Sequence, residues 1–331
     1  MQILQATAGD YEGVIAISEG VFMGIDYLPF RYHAWLKDPQ RRMFVAKLEE
    51  KVVAFDSFLV VDGGVTAVLQ GLRVAPWLRG RGVAGIIQKF TLDTLRLDHP
   101  DVTKIRLTRT EDPPPTMLNK YRLLHSKVNS MHLFQYMSQM SFKKHISVIT
   151  NSISRLPSTS QDFPPPVFLD YSEVRSLFSG PLKEEDILPG RFLIQSWLPI
   201  TTCKANLDLT QLLASSDITN DGSTTVKGFL SLGTPMFPVP LGDGKNRLDI
   251  DLFGTDLSCA KIHVVFQLKE AVKALPTGGS VVCSVFAEEI LRDGLTGFLD
   301  GITLFSRCRE QLVLEMDIKP VKTPPSTQCH S

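Results

Sequence analysis

The stretch Leu69-Gln-Gly-Leu-Arg-Val-Ala-Pro-Trp-Leu-Arg-Gly-Arg-Gly-Val-Ala-Gly-Ile-Ile87 leaves few options for the chain around it. An apolar, strand-like run ends at Val74, and Pro76 stops ladder pairing. Arg79-Gly80-Arg81-Gly82-Val83-Ala84 reads as a tight turn, and Gly85 to about Leu97 as an amphipathic helix. Strand, glycine-rich turn and helix N-terminus together make an anion site. First-turn N–H groups have no intrahelical partner, and the helix dipole favours negative charge. Gly80 and Gly82 lack a Cβ, so the backbone can take unusual angles and a phosphate can come close. Arg79 and Arg81 add positive charge, and the loop suits a pyrophosphate.

Three phosphate-binding patterns compete for this loop. The Gly-x-x-x-x-Gly-Lys-Ser/Thr string is absent. Gly80-Arg-Gly82-Val-Ala-Gly85 fits a dinucleotide loop, but the strand ends well before the first glycine and no acidic residue closes a strand near position 105. Arg79-Gly-Arg-Gly82-Val-Ala84 fits Arg/Gln-x-x-Gly-x-Gly/Ala and follows a Val-x-Pro. This combination resembles the acetyl-coenzyme A loop of the GNAT acetyltransferase superfamily. The bland alternative is a surface turn with two glycines. The resemblance implies acetyl-CoA as co-substrate. Leu72, Arg73 and Val74 would lie along its pantetheine arm, with Arg79, Gly80, Arg81, Gly82, Val83, Ala84 and Gly85 around its pyrophosphate.

A chain of 331 residues usually means two domains. Lys+Arg and Asp+Glu are both 35, which gives no argument for nucleic acid or an anionic membrane as partner. No apolar run approaches the roughly 18 residues of a membrane helix, and Met1-Gln-Ile-Leu-Gln has no signal-peptide character. Five cysteines, all in the second half and widely spaced, read as reduced thiols of a cytoplasmic protein rather than a disulfide frame or metal site.

Along residues 1–140 the pattern reads β-α-α-β-β-β-loop-α-β-α-β, the GNAT order, a mixed sheet of the α+β class. Strands are expected at Gln2–Thr7, Met43–Leu48, Val52–Val60, Thr66–Val74, Lys104–Arg109 and Met131–Met140. Helices are expected from Asp10 to about Gly20, over Phe30–Lys37, and from Thr116 to about His125 carrying Tyr121. The strands around Val74 and Ile105 should splay, freeing Leu72 and Val74 backbone groups. Residues 151–166 are Ser/Pro-rich and read as a linker between a first unit, 1–150, and a second, 167–318, with 319–331 as a tail. A shift of 178 residues lands Leu72 on Ile250, Ile86 on Val264 and Ile105 on Cys283, so the chain reads as tandem GNAT folds with the second degenerate. The second unit's loop, Gly254-Thr-Asp-Leu-Ser258, has one glycine, no arginine and an acid, and should not hold a pyrophosphate. Chance agreement of β-α-β periods is the competing explanation.

Gly24-Ile-Asp-Tyr-Leu-Pro29, Arg31-Tyr-His, Leu72-Arg-Val-Ala-Pro-Trp77, Leu107-Thr-Arg109, Lys120-Tyr-Arg-Leu123 and Ile250-Asp-Leu-Phe-Gly254 stand in one order along the chain. With the linker, they resemble the vertebrate histidine N-acetyltransferases. That resemblance implies direct transfer of acetyl to the α-amine of L-histidine, with Tyr121 as acid for the leaving thiolate. Many GNAT enzymes keep a glutamate where this chain has Gln70, so the base stays open among Glu111, Asp26 and Glu19. The substrate carboxylate needs an arginine. Arg109, Arg31 and Arg73 are available, with Arg109 favoured by its place beside the loop strand, and Tyr27 and Tyr32 can wall the imidazole. An acetyltransferase for another amine and a non-enzymatic acyl-CoA sensor remain open readings.

Overall fold

A computed structural model of the protein describes residues 1–110, 112–135, 166–179, 187–188, 191–206, 212–218, 224–242, 244–275, 279–300 and 302–318. The linker expected at 151–166 lies outside these residues but for Pro166, and the tail 319–331 lies wholly outside them. The first half runs β1 (Gln2–Gln5), α1 (Tyr11–Ala16), α2 (Leu28–Trp35), β2 (Arg41–Leu48), β3 (Lys51–Val61), β4 (Thr66–Val74), α3 (Val83–Asp98), β5 (Lys104–Thr110), α4 (Pro115–Leu118) and β6 (Arg122–Gln135). The second runs β7 (Val167–Phe168), α5 (Tyr171–Ser179), β8 (Phe192–Gln195), β9 (Leu198–Thr201), β10 (Leu212–Ile218), β11 (Thr224–Gly233), β12 (Phe237–Pro238), β13 (Lys245–Phe253), α6 (Leu257–Val272), β14 (Ser280–Ala287), α7 (Arg292–Phe298) and β15 (Thr303–Asp317).

Among the described residues, thirteen strands form one mixed sheet in the order β1-β2-β3-β4-β5-β15-β6-β14-β13-β11-β10-β7, with β12 beside β13. The centre of that order is an exchange. The last strand of the second half, β15, pairs antiparallel with β5, with Leu314 opposite Leu107. The last strand of the first half, β6, pairs antiparallel with β14, with His132 opposite Cys283. Glu315 on β15 receives Arg106 Nε of β5 at 2.7 Å and also bonds Arg122 of β6. The apolar cores cross the same seam: Leu312 and Leu314 pack with Ile105 and Leu107, while Val128 and Phe134 pack with Val281 and Val285. No helix among the described residues is long and apolar enough to cross a membrane.

Local reasons set each element. In α3, Val83, Ile87, Thr91 and Leu95 are buried at four-residue intervals, a stripe that turns one face to the sheet. Two helices differ from expectation. α1 ends at Ala16, not near Gly20, because Gly20, Phe22 and Met23 take left-handed backbone angles and turn the chain. Asp10 does not cap α1; its carboxylate accepts from Thr7 N and Thr7 Oγ at 2.8 and 2.7 Å. The helix expected to carry Tyr121 to His125 stops at Leu118. Residues from Arg122 onward join a ladder instead, with His125 opposite Val313, and that long-range pairing overrides local helix preference.

Candidate active site

β4 and β5 run parallel only from Thr66↔Lys104 to Val68↔Arg106, then part. A bulge in β4 makes them diverge. Phe55 pairs with Arg73 and Ser57 with Gln70, so Asp56 faces two residues, Gly71 and Leu72. Gly71 holds φ +81°, and a Cβ there would meet Phe55 Cε1 at 2.9 Å. Beyond β4, Pro76–Leu78 makes one short turn and Gly82, at φ +80°, opens α3. A Cβ built on Gly80, Gly82 or Gly85 meets nothing within 4 Å, so the loop borders open space at a helix N-terminus. These features fit a pyrophosphate over the loop and an extended arm in the splay. Leu72 O and Val74 O already accept from Arg73 Nη1 and Arg79 Nε at 3.0 and 3.1 Å, and each keeps a second lone pair.

The splay opens into a cavity of about 280 Å³ walled by Phe22, Tyr27, Asp56, Gln70, Leu72, Arg73, Gln88, Leu107, Thr108, Arg109, Met117 and Trp197 among others. Trp197 comes from the second half. It stands at the tip of the β8–β9 hairpin, where Ser196 takes φ +60°. Its carbonyl accepts from Thr108 Oγ1 at 2.7 Å and from Gln70 Nε2 at 3.3 Å, and its ring stacks near Phe22 with centroids 6.3 Å apart. An annex of about 90 Å³ shares the Tyr27, Gln70 and Trp197 walls and adds Arg31, Trp35, Arg41, Ser196, Thr234 and Phe237.

The residues singled out from sequence fall unevenly around this cavity. Tyr27, Gln70, Leu72, Arg73 and Arg109 line it. Tyr32 is buried in the first core, with its hydroxyl on Thr7 O at 2.7 Å. Arg109 donates to the Thr110 and Asp112 carbonyls and to Met117 Sδ, so much of its donor capacity stays on its own loop. Arg73 Nη2 pairs with Asp26 Oδ1 at 2.8 Å. Glu19 is exposed, and Glu111 lies outside the described residues. Tyr121 is partly buried against the first core, next to the wall residue Met117. Burial, and then the charge of Asp56, push its hydroxyl pKa upward.

Several wall residues lay outside the sequence expectations, among them Asp56, Phe22, Arg41 and Trp197. Asp56 is fully buried, and neither carboxylate oxygen completes a hydrogen bond. Burial pushes its carboxyl up to about 7, against a weaker pull from the Thr91 hydroxyl and the Ser57 N–H. One signal was available, a lone acid inside the apolar run Val52–Val61. The second half shows what the cavity depends on. There β13 and β14 stay in register from Lys245↔Ser280 to Asp251↔Phe286, with no splay. The Asp256 carboxylate caps α6, accepting from Cys259 N at 2.7 Å, where a phosphate would sit.

A mixed sheet split between β4 and β5 beside a glycine–arginine loop that opens α3 defines the GNAT class of acetyltransferase. Residues 15–115 match the family described as Acetyltransferase (GNAT) family, and residues 162–288 match Histidine N-acetyltransferase, C-terminal. The chain is 36% identical over 327 residues to the human protein named "Probable N-acetyltransferase 16", covering 96% of this chain and 86% of that one. It is 34% identical over 323 residues to the Histidine N-acetyltransferase of Xenopus tropicalis, covering 96% and 95%. A tandem GNAT protein from the clavulanic acid biosynthesis pathway shares the fold, with TM-score 0.51 and 11% identity over 96% of this chain and 99% of that one. The chain belongs to the histidine N-acetyltransferase family.

Proposed function

We propose that this protein moves the acetyl group of acetyl-CoA to the α-amine of L-histidine, giving N-acetyl-L-histidine and CoA in one direct step. The observation that carries the reading is the cavity at the β4–β5 splay, which Trp197 from the second half helps to wall. A pocket of this size suits a small amine. Full-length relatives bearing the histidine name supply the choice of amine.

The chemistry sets tasks for named residues. The loop Arg79–Gly85 holds the pyrophosphate, and the backbone N–H near Val74 faces the thioester oxygen, where negative charge develops. The substrate arrives mostly as an ammonium ion and must lose a proton before attack. When the new C–N bond forms and the C–S bond breaks, the amine gives up a second proton and the sulfur gains one. Asp56 borders the cavity, burial pushes its carboxyl up to about 7, and we assign it to that proton exchange. Tyr121, beside Met117, is the donor assigned to the sulfur. The test is to incubate the protein with acetyl-CoA and each of the twenty amino acids and weigh the products. N-acetylhistidine with one free CoA thiol per product is expected. Preferred acetylation of another amine points to the other-amine reading. CoA binding without turnover of any amino acid points to a sensor. Either result overturns the histidine assignment.

A further inference from the structure

Two guanidinium groups face the 90 Å³ annex, and among the described residues neither makes a salt bridge, although the Asp38 charge acts on Arg41 at longer range. Arg41, 6% exposed, gives Nη1 to Ser57 Oγ at 3.3 Å and Nη2 to Gln70 Oε1 at 2.8 Å, both uncharged acceptors. Its plane lies 3.8 Å over Trp35, and its Nε is buried with no partner. Arg31 sits four residues before Trp35 on α2, near the Phe30 and Phe237 rings at 5.9 and 5.6 Å, and makes no salt bridge among the described residues. Asp249, the acid that acts on it at longer range, is already held by Arg247 Nε at 2.8 Å and by the Ser196 hydroxyl.

Arg41 is a buried cation with no anion in contact, which is costly, and the partly buried Arg31 beside the same cavity adds to that cost. Burial pushes the Arg41 pKa down to about 10, against an upward pull from Asp38 and then Tyr27, with the Arg31 charge adding a smaller downward push. With Asp38 and Asp249 acting only at longer range, the annex has donors available for one further negative charge. The annex, about 90 Å³, has room for a carboxylate. Its shared walls, Tyr27, Gln70 and Trp197, place whatever is attached to that carboxylate in the main cavity.

Resting on the acetyltransferase reading above, we propose that Arg31 and Arg41 grip the α-carboxylate of the substrate in this annex, so that the enzyme accepts only free amino acids. The second half completes the grip through Ser196, Trp197 and Phe237. Histidinamide and peptides with N-terminal histidine keep the amine and the imidazole but lack the anion next to the amine. A site that buries donors for a missing partner rejects such analogues strongly.

The experiment measures kcat/KM at saturating acetyl-CoA for histidine and histidinamide. The same acid–amide pair is run for whichever amino acid turns over fastest. Wild type should favour the acid by at least about a hundredfold. In Arg31→Gln the preference should shrink to less than about tenfold, through loss on the acid alone, with CoA affinity unchanged; Arg31→Lys should fall between. Equal turnover of acid and amide by wild type overturns the proposal, and this arm needs no variant to fold. An unchanged preference in Arg31→Gln overturns it too. If histidine is inert but another amino acid shows an Arg31-dependent preference, the histidine assignment falls and the carboxylate grip stands.

Discussion

Among the described residues Asp56 has no cation to neutralise it and no complete hydrogen bond, so its ionisation is one point where pH acts on this fold. Its folded value, about 7, lies above the ~3.9 of an unfolded aspartate. Between those values the folded chain keeps a proton that the unfolded chain has released. Asp56 therefore costs stability progressively as pH rises from about 4 to about 7, and a constant amount above. Asp56→Asn should melt near wild type at pH 4.5 and several degrees higher at pH 8, and the limb of the kcat/KM profile near pH 7 should disappear. A melting difference independent of pH would remove the ionisation account. Tyr121→Phe should lower kcat roughly ten- to a thousandfold with little change in KM, as for a donor used only in the transition state. A rate near wild type returns Tyr121 to the core. Residues whose place is written in their neighbours, such as Gly82 in the turn that opens α3, were legible in the sequence. Trp197 was not, because it is bound to Gln70 127 positions away and nothing local marks it.

The loop and the hairpin tip are short elements whose parts can be exchanged without touching the cores. Gly82→Asp adds a side chain into open space at φ +80°, an angle aspartate tolerates better than most residues, at a cost of roughly 1–2 kcal/mol. The fold should survive while CoA affinity, read by calorimetry, drops at least about tenfold, because a carboxylate then faces the pyrophosphate. Undiminished affinity would detach the loop from the cofactor. Trp197→Ala should raise KM for the amine by about tenfold or more with CoA affinity unchanged, since the ring lies against Phe22 and Phe286 rather than the loop. A loss confined to CoA binding would contradict that placement. At this scale the strand and helix order of the first half was readable from apolar periodicity and glycine–proline punctuation. The α4–β6 boundary was not, since Arg122 to His125 are strand only because β15 lies beside them. The β8–β9 hairpin went unread because Phe192–Thr201 gives no strong alternation.

For the molecule as a whole, the exchange of β6 and β15 decides how the halves depend on each other. Without β15, β5 would present Lys104–Thr110 as a bare edge. Arg106, 2% exposed between Asp62 and Glu315, would lose one of its two buried acids. A protease site placed between residues 151 and 166 and cut in the native protein should leave two pieces that co-elute on a sizing column and melt in one calorimetric transition. Pieces that part without denaturant would mean the exchanged strands contribute little to cohesion. The tandem layout could be seen in a shifted alignment of apolar positions, but the exchange could not, because both strands read the same whichever half they join. The exchange also sets an order of events during synthesis. Thr110 pairs with Gln311 and Lys104 with Asp317. At about 5–20 residues per second, β5 leaves the ribosome on the order of ten to forty seconds before its partner exists. In that interval the nascent first half is a sheet with one side unfilled, open to chaperones and to β5 edges on neighbouring ribosomes. The half that carries the glycine–arginine loop is thus made first and finished last.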